Sequence, residues 1–413
     1  MRHLILRLAA VLWLIAGPAA ADGKPLVILV SMDGFRGDYL DRGITPNLSQ
    51  LAADGARGAV RPSFPSKTYP NHYTLVTGLR PDRHGLVDNV MVDPLIPGVT
   101  FKLSDRATVK DPRWWNDATP LWVTAERQGV ISASVFWPGS ETAIQGAQPT
   151  YWLTYDQTVS APARVDQVLA WLDLPAETRP GFISLYFDET DTEGHHHGPD
   201  SPELNAAVAH TDAAIGRLTA GLAARGLAAD LVITADHGMA AVSPDRAIPI
   251  EDILPESAAR RVAMGAFMTV VPTPGREAEV ERALLRRHAN MTCWRKGEIP
   301  ARYHFGSHRR IPPIFCLPRT GWEITTRAVI AKAPIKGGAH GFDPYAPEME
   351  AVFVAHGPSI RRGVKLRTTD NVDVYPLVAR LLGVTPERSD GKLSGLTRAH
   401  DRSVRTCRNS AVR

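Results

Sequence analysis

The sequence shows no strong excess of charge of either sign, no internal repeat and no low-complexity segment. Its 47 Lys and Arg residues are set against 43 Asp and Glu residues, which gives a formal net charge of +4. Because the basic residues are scattered rather than gathered into one stripe, we expect no specific nucleic-acid partner. After residue 21 no apolar run reaches the about 18 residues of a membrane-spanning helix. We therefore expect no membrane anchor in the mature chain.

Cysteine is scarce, with only 3 residues in the chain. Cys293, Cys316 and Cys407 fit an oxidising compartment with one disulfide and one remaining thiol. Cys293 and Cys316 bracket a Pro- and Arg-rich loop that a bond between them would close. Spacing alone leaves the connectivity open, and Cys293–Cys316 is the pair we prefer.

The first residues have the features of a secretory signal peptide. A positively charged start, a short apolar run and small residues follow one another: Arg2, His3 and Arg7, then 8–17, then 19–21. The apolar run is too short to span a membrane comfortably. We expect a signal peptide over 1–21 and a periplasmic or secreted protein that begins near Asp22.

Several segments are near-continuous apolar runs, which are typical of strands covered on both faces of a parallel sheet. These runs cover 25–34, 129–137, 181–188 and 230–238. Helical patterns lie over 47–53, 119–128, 162–172 and 202–225. The alternation predicts an α/β fold with a doubly wound, mostly parallel central sheet flanked by helices. In such sheets ligands bind beyond the carboxyl ends of the strands.

From about residue 265 to 325 the composition changes, with a strand expected over 268–271 and a helix over 277–289. The core pattern returns afterwards, with a strand over 351–355 and a helix over 373–382. We therefore predict one catalytic domain over 22–413 that carries an inserted α+β subdomain over about 265–325.

Carboxylates and imidazoles cluster at predicted strand ends and in glycine-bearing loops. The candidate ligands are Asp33, Asp191, His195, Asp236, His237 and His340. The four-residue spacing of Asp191 and His195 lets both side chains face one point. A mixed set of Asp and His donors suits Zn²⁺. Three adjacent imidazoles cannot all bind one metal, so we expect His196 and His197 to be solvated neighbours of His195.

Thr68 lies near the predicted start of a helix, where unpaired N–H groups favour an anion such as a phosphoryl group. An alternative is that Ser66 or Thr68 is only a helix cap. The nearby carboxylates and imidazoles favour a hydroxyl nucleophile for phosphoryl transfer, for which Thr68 is the candidate.

Together these segments resemble the nucleotide pyrophosphatase/phosphodiesterase family of the alkaline phosphatase superfamily. The matching segments are 31–36, 65–73, 77–81, 84–89, 191–195, 235–239, 340–343, 355–358 and 371–375. One departure is Asp188-Glu189-Thr190, where animal relatives usually carry Glu-Glu-Pro. The resemblance implies an alkaline-phosphatase-like fold and a minimal catalytic-domain member of bacterial origin.

The resemblance also implies two Zn²⁺ ions and a threonine nucleophile. One ion would be held by Asp191, His195 and His340. The other would be held by Asp33, Thr68, Asp236 and His237. Thr68 would form a phosphothreonine intermediate, and Asn89 together with the Thr68–Tyr69 backbone amide would donate hydrogen bonds to a phosphoryl oxygen. Lys67 is expected to point away from the reacting groups.

The expected substrates are nucleoside triphosphates, dinucleotides and nucleotide sugars, cleaved to nucleoside 5′-monophosphates. Tyr69 and Tyr155 would stack on the base, with Tyr155 in a loop that includes 151–156. A choline-phosphodiester hydrolase is an alternative, because Asp156 supplies a carboxylate beside this aromatic cluster. A phosphomonoesterase is a further alternative, although the neutral Asn89 favours diesters.

Overall fold

The computed structural model describes residues 25–400. The signal peptide predicted over 1–21 and the thiol of Cys407 lie outside the described residues. No helix within 25–400 is both long and apolar enough to cross a membrane.

Nineteen strands are present among the described residues. They are β1 Val27–Met32, β2 Ala56–Arg61, β3 Val90–Val92, β4 Thr100–Lys102, β5 Ser132–Val135, β6 Tyr151–Leu153, β7 Phe182–Phe187, β8 Asp230–Thr234, β9 Ala240–Ala241, β10 Ala247–Pro249, β11 Ala259–Ala263, β12 Met268–Pro272, β13 Met291–Arg295, β14 Ile314–Pro318, β15 Glu323–Thr325, β16 Gly338–Ala339, β17 Ala351–His356, β18 Val364–Lys365 and β19 Thr369–Asp370.

The same residues form eleven α-helices. They are α1 Pro46–Asp54, α2 Thr68–Thr77, α3 Pro81–His84, α4 Arg106–Val109, α5 Leu121–Arg127, α6 Ala161–Leu172, α7 Glu189–His197, α8 Pro202–Ala224, α9 Glu277–Leu284, α10 Arg327–Lys332 and α11 Val374–Leu382.

The central sheet has the strand order β18-β2-β17-β8-β1-β7-β5-β6, with β19 also paired to β2. β1 lies between β7 and β8 and runs parallel to both. β17 runs antiparallel to β8 and β2, so the sheet is mixed at this point. The predicted mostly parallel sheet is confirmed, and the apolar runs formed its inner strands.

Helices cover the sheet in two groups. α2, α5 and α11 pack together, and α11 contacts β1. α1, α6 and α7 pack on α8, and α6 contacts β7. Every residue of β1, β7 and β8 is buried, as expected for strands with helices on both faces. This arrangement confirms the predicted doubly wound fold.

A second, antiparallel sheet has the order β11-β12-β14-β13 and packs its own apolar cluster. Cys293 and Cys316 lie opposite each other on β13 and β14 and form a disulfide, which confirms the preferred pair. The helix expected over 277–289 ends at Leu284 instead. There the His288 imidazole donates to the Leu284 carbonyl at 3.0 Å, a group that a longer helix would use itself. The boundaries of the inserted subdomain, about 265–325, stay a prediction.

Residues 151–153 were expected in a loop, but they form the edge strand β6 instead. β6 pairs in parallel with β5, from Ala133 opposite Tyr151 to Val135 opposite Leu153. The edge position explains the error, because β6 has only three half-buried residues and no continuous apolar run. Tyr155 lies two residues beyond this strand.

Candidate active site

The candidate ligands meet beyond the carboxyl edge of the central sheet. Asp33 directly follows β1, while Asp236 and His237 follow β8. β7 leads into α7, and β16 leads into His340. Because β1 lies between β7 and β8, the segments that leave these strands converge on one point.

Asp191, His195 and His340 form the first group, with one ligand atom from each side chain within 4.8 Å of the others. Asp191 Oδ2 lies 3.5 Å from His195 Nε2, across one turn of α7. Asp191 Oδ1 lies 3.6 Å from His340 Nε2. The structure thus brings together the three residues predicted for one metal.

The second group surrounds His237, which is fully buried. His237 Nε2 lies 2.9 Å from Asp236 Oδ2 and 3.5 Å from Asp33 Oδ1. Thr68 Oγ1 lies 3.3 Å from the same nitrogen. Asp33, His237 and Asp191 can also share one ion, so Asp191 lies between the two groups.

In all three candidate imidazoles, Nδ1 donates a hydrogen bond to a backbone carbonyl. His195 donates to the Gly338 carbonyl at 2.8 Å, and His340 donates to the Ser66 carbonyl at 2.9 Å. His237 donates to its neighbour's carbonyl, Gly238, at 3.0 Å. A proton on Nδ1 leaves the Nε2 lone pair free, which is the state of a metal-binding histidine.

The carboxylates of the site have unsatisfied oxygens. Asp33 Oδ1, Asp191 Oδ1 and Asp236 Oδ2 are buried without a hydrogen-bond partner. Burial, followed by the nearby charges of Asp236 and Asp191, raises the pKa of Asp33 well above its usual value. Such crowding of buried oxygens is costly unless a cation binds them. The residues present therefore fit a divalent-metal centre.

Thr68 is the first residue of α2, and Lys67 precedes the helix in extended conformation. The Tyr69 N–H donates to Asn89 Oδ1 at 2.9 Å. This bond fixes the orientation of the Asn89 amide, so its NH₂ group is left to donate elsewhere. The Tyr69 N–H itself is directed to Asn89.

His72 was missing from the predicted site, yet it contacts both Thr68 and Asp236. Its fully buried ring has Nδ1 2.9 Å from the Thr68 carbonyl oxygen and 3.3 Å from Asp236 Oδ2. Its Nε2 lies 2.8 Å from the Ser31 hydroxyl. The spacing of Thr68 and His72, one helical turn apart, is the signal in the sequence that could have identified it.

The two predicted stacking residues are both half-buried. Tyr69 packs against Phe101 and Trp115, with ring centroids 5.7 Å and 5.8 Å away. Tyr155 packs edge-on against Phe136 at 5.5 Å. Each ring therefore packs against at least one other aromatic side chain.

The Tyr155 hydroxyl is held by a buried ion pair. It donates to Asp188 Oδ2 at 2.7 Å, while Asp188 Oδ1 pairs with Arg164 at 2.8 Å. Asp156 accepts hydrogen bonds from the N–H and hydroxyl of Thr158, within its own turn. Sequence reasoning missed Asp188 and Arg164, because Arg164 lies on α6, far from any recognised motif.

The Lys67 side chain packs beside Phe267, and its predicted orientation away from the reacting groups stays a prediction. Its ammonium lies 5.6 Å from the centroid of the Phe267 ring. Burial lowers the pKa of Lys67, although the charges of Asp88 and Glu323 oppose that shift. Burial also raises the pKa of Asp88 to about 7, despite the opposing charge of Lys67.

A family model described as type I phosphodiesterase / nucleotide pyrophosphatase matches residues 27–343. This range includes all the candidate residues above. The chain belongs to this family. The phosphodiesterase/nucleotide pyrophosphatase family assignment makes the chain an enzyme and confirms the resemblance seen in the sequence.

Relatives in this phosphodiesterase family support the assignment over most of the chain. Bis(5′-adenosyl)-triphosphatase enpp4 of Xenopus laevis is 36% identical over 377 residues, which is 90% of this chain and 81% of that protein. The structure of human ectonucleotide pyrophosphatase/phosphodiesterase 5 superposes with a TM-score of 0.86 at 34% identity. The superposition covers 91% of this chain and 100% of the human chain.

The murine family member 5 has been solved as an inactive threonine-to-alanine variant in complex with AMP. Its TM-score is also 0.86, at 33% identity, with 91% of this chain and 100% of that chain covered. The similarity to these family members confirms the alkaline-phosphatase-like fold.

Proposed function

We propose that this enzyme hydrolyses phosphodiester and pyrophosphate bonds of nucleotides and releases nucleoside 5′-monophosphates. The observation that carries the proposal is the position of Thr68. Thr68 is the first residue of α2, and its hydroxyl oxygen lies 3.3 Å from His237 Nε2. A hydroxyl at a helix start among two groups of candidate metal ligands suits attack on a phosphoryl group. The proposed substrates are nucleoside triphosphates, dinucleotides and nucleotide sugars.

In the proposed reaction the Thr68 hydroxyl gives up its proton and its oxygen bonds to phosphorus, while the bond to the leaving oxygen breaks and the leaving group takes up a proton. The nucleoside 5′-phosphoryl group is then attached to Thr68 as a phosphothreonine. Water adds to phosphorus in a second step, the bond to Thr68 breaks, and the nucleoside 5′-monophosphate leaves with the threonine hydroxyl restored.

We assign two Zn²⁺ ions to the site. Asp191, His195 and His340 would hold one ion, and Asp33, Thr68, Asp236 and His237 the other. When bound, such ions favour a deprotonated hydroxyl and neutralise charge on attacking and leaving oxygens. Support comes from the free Nε2 lone pairs and the unpartnered carboxylate oxygens.

Asn89 is proposed to stabilise the phosphoryl group. Because Asn89 Oδ1 accepts from the Tyr69 N–H, the Asn89 NH₂ group is oriented away from that bond and can donate to a non-bridging oxygen. A neutral amide suits the single charge of a diester.

Tyr69 and Tyr155 are proposed to stack on the base. Stacking on an aromatic ring is worth about 1–3 kcal/mol per base and tolerates any base. The AMP bound to the murine relative supports a nucleotide over a choline ester. Asp188 is paired with Arg164, so Asp156, which accepts from Thr158 through Oδ1 only, is the carboxylate that the choline-ester alternative would use.

We also propose that the protein is periplasmic or secreted. The Cys293–Cys316 disulfide supports this location, because disulfides persist in oxidising compartments.

The function is tested by comparing kcat/KM for diadenosine triphosphate and ATP with kcat/KM for glycerophosphocholine and for a nitrophenyl phosphate monoester. We expect the nucleotides to be the better substrates and AMP to be the product. A higher kcat/KM for the choline ester or for the monoester would refute the nucleotide assignment.

A further inference from the structure

A further set of side chains that could bind a metal lies on the outer face of α7. Glu193, His196 and His197 each place one ligand atom within 4.8 Å of the others. His196 and His197 are exposed, as expected for solvated neighbours of His195, and Glu193 is partly buried. None of the three is among the residues proposed to hold the catalytic metals.

The distance between Glu193 and His197 is longer than the about 2.7–3.2 Å of an ordinary hydrogen bond and suits a shared ion. His197 Nε2 lies 3.5 Å from Glu193 Oε2, and neither side chain has a hydrogen bond within residues 25–400. Two donors bound to Zn²⁺ at its usual distances and tetrahedral angle are about 3.4 Å apart. By contrast, His210 and Glu189 form a direct hydrogen bond of 2.6 Å between α8 and α7.

The same helix repeats one arrangement on two faces. Asp191 and His195 are four residues apart with a nitrogen–oxygen distance of 3.5 Å. Glu193 and His197 are also four residues apart, with the same distance. A shift of two residues turns a helix by about 200°, so the second pair faces away from the catalytic centre.

A further carboxylate comes from the start of α8. Glu203 Oε1 lies 3.9 Å from His197 Nδ1, on the side opposite the contact with Glu193. Glu203 therefore lies outside the set of three and adds negative charge beside the His197 ring.

We propose that Glu193, His196 and His197 form a third divalent-metal site, with the charge of Glu203 close by on α8. Two imidazoles with a carboxylate favour Zn²⁺ over Ca²⁺ or Mg²⁺, which prefer oxygen donors. The ion would cross-link side chains of the last turns of α7. It would thereby stabilise the helix that carries Asp191 and His195.

The test counts zinc in the full chain at buffered free Zn²⁺, in wild type and in a His196→Ala/His197→Ala variant. We expect the variant to bind one ion fewer per chain and to lose the highest-concentration step of the zinc-dependent rise in Tm. His210→Ala is the matched control, because it removes an exposed imidazole between the same helices, and its zinc count should equal that of wild type.

Glu193→Gln keeps the size of the side chain and removes its charge, so it tests the site where the double variant fails to fold. We expect at least about a tenfold weaker zinc affinity at the third site, with the other sites unchanged. Equal zinc counts in wild type and the double variant, or an unchanged affinity in Glu193→Gln, would overturn the proposal.

Discussion

The imidazole rings of His237 and His340 lie face to face, with centroids 3.5 Å apart and planes inclined by 15°. His237 belongs to one proposed set of metal ligands and His340 to the other, so the two sets are in direct contact through these rings. Burial, followed by the charge of His237, lowers the pKa of His340 well below its usual value. A neutral ring fits this stacking, because two stacked cations would repel each other.

Replacing Thr68 with Ala should abolish turnover, because the proposed nucleophile is removed. We expect kcat for a nitrophenyl phosphodiester to fall by more than about 100-fold, or about 3 kcal/mol in the barrier. Thr68→Ser should keep part of the activity. A Thr68→Ala enzyme with more than about one hundredth of wild-type kcat would exclude the nucleophile role.

Removal of divalent metal should inactivate the enzyme reversibly. After exhaustive chelation, we expect added Zn²⁺ to restore activity and Mg²⁺ to fail, because the site offers imidazole donors. The metal content and kcat are measured on the same samples before chelation, after chelation and after each metal is added. Full activity in protein that carries one ion or none would contradict the two-metal centre.

His72 should act as a positioning residue, because it joins the Thr68 carbonyl to Asp236. We expect His72→Ala to lower kcat by about 10- to 100-fold, with KM nearly unchanged. His72→Asn should recover part of the loss, since its amide can donate in place of Nδ1. A variant with lowered Tm but wild-type kcat would reduce His72 to a structural role.

Tyr155→Ala should lower kcat/KM for nucleotides, because the stacking ring is lost. A loss of about 1–3 kcal/mol corresponds to about 5- to 150-fold. Tyr155→Phe is the matched control, since it removes only the hydroxyl bonded to Asp188 and keeps the ring. Unchanged kcat/KM in Tyr155→Ala would rule out stacking on this residue.

Asp88 should make the protein less stable as pH rises. Burial raises the pKa of Asp88 from its usual value near 3.8 to about 7, so the folded state holds the proton more tightly than the unfolded state. The unfolding free energy therefore falls between these values as pH increases. We expect the unfolding free energy of Asp88→Asn to be higher than that of wild type by at least about 1 kcal/mol at pH 8, with a smaller difference at pH 5.

Denaturant unfolding at the two pH values measures this effect. Asp245→Asn, at an exposed side chain, serves as the control and should follow wild type at both. A difference between Asp88→Asn and wild type that is the same at both pH values would contradict the raised pKa.

The parts of the fold that were predicted from sequence are those with a one-dimensional signature. β1 and β8 belong to near-continuous apolar runs that end just before Asp33 and Asp236, so both the strands and the edge that carries the site were predictable. The antiparallel direction of β17 was not predictable, because the same apolar pattern fits a buried strand of either direction.

The candidate site divides in the same way. Asp191 and His195 are close in sequence, so their shared face was predicted. The contact between Asp188 and Arg164 joins the end of β7 to α6, and the sequence does not specify how these two elements pack. Such a contact depends on how α6 lies against β7, which is a property of the folded chain alone.

The position of β17 has a consequence for the order in which this chain can fold. Within residues 25–400, β2 pairs only with β17, β18 and β19, all of which come more than 280 residues later. Early in synthesis β2 has no strand to join, and β8 has an open edge that can pair with other chains. Closure of the sheet thus waits for Ala351–His356, and we infer that this long-range pairing is a slow, late step of folding.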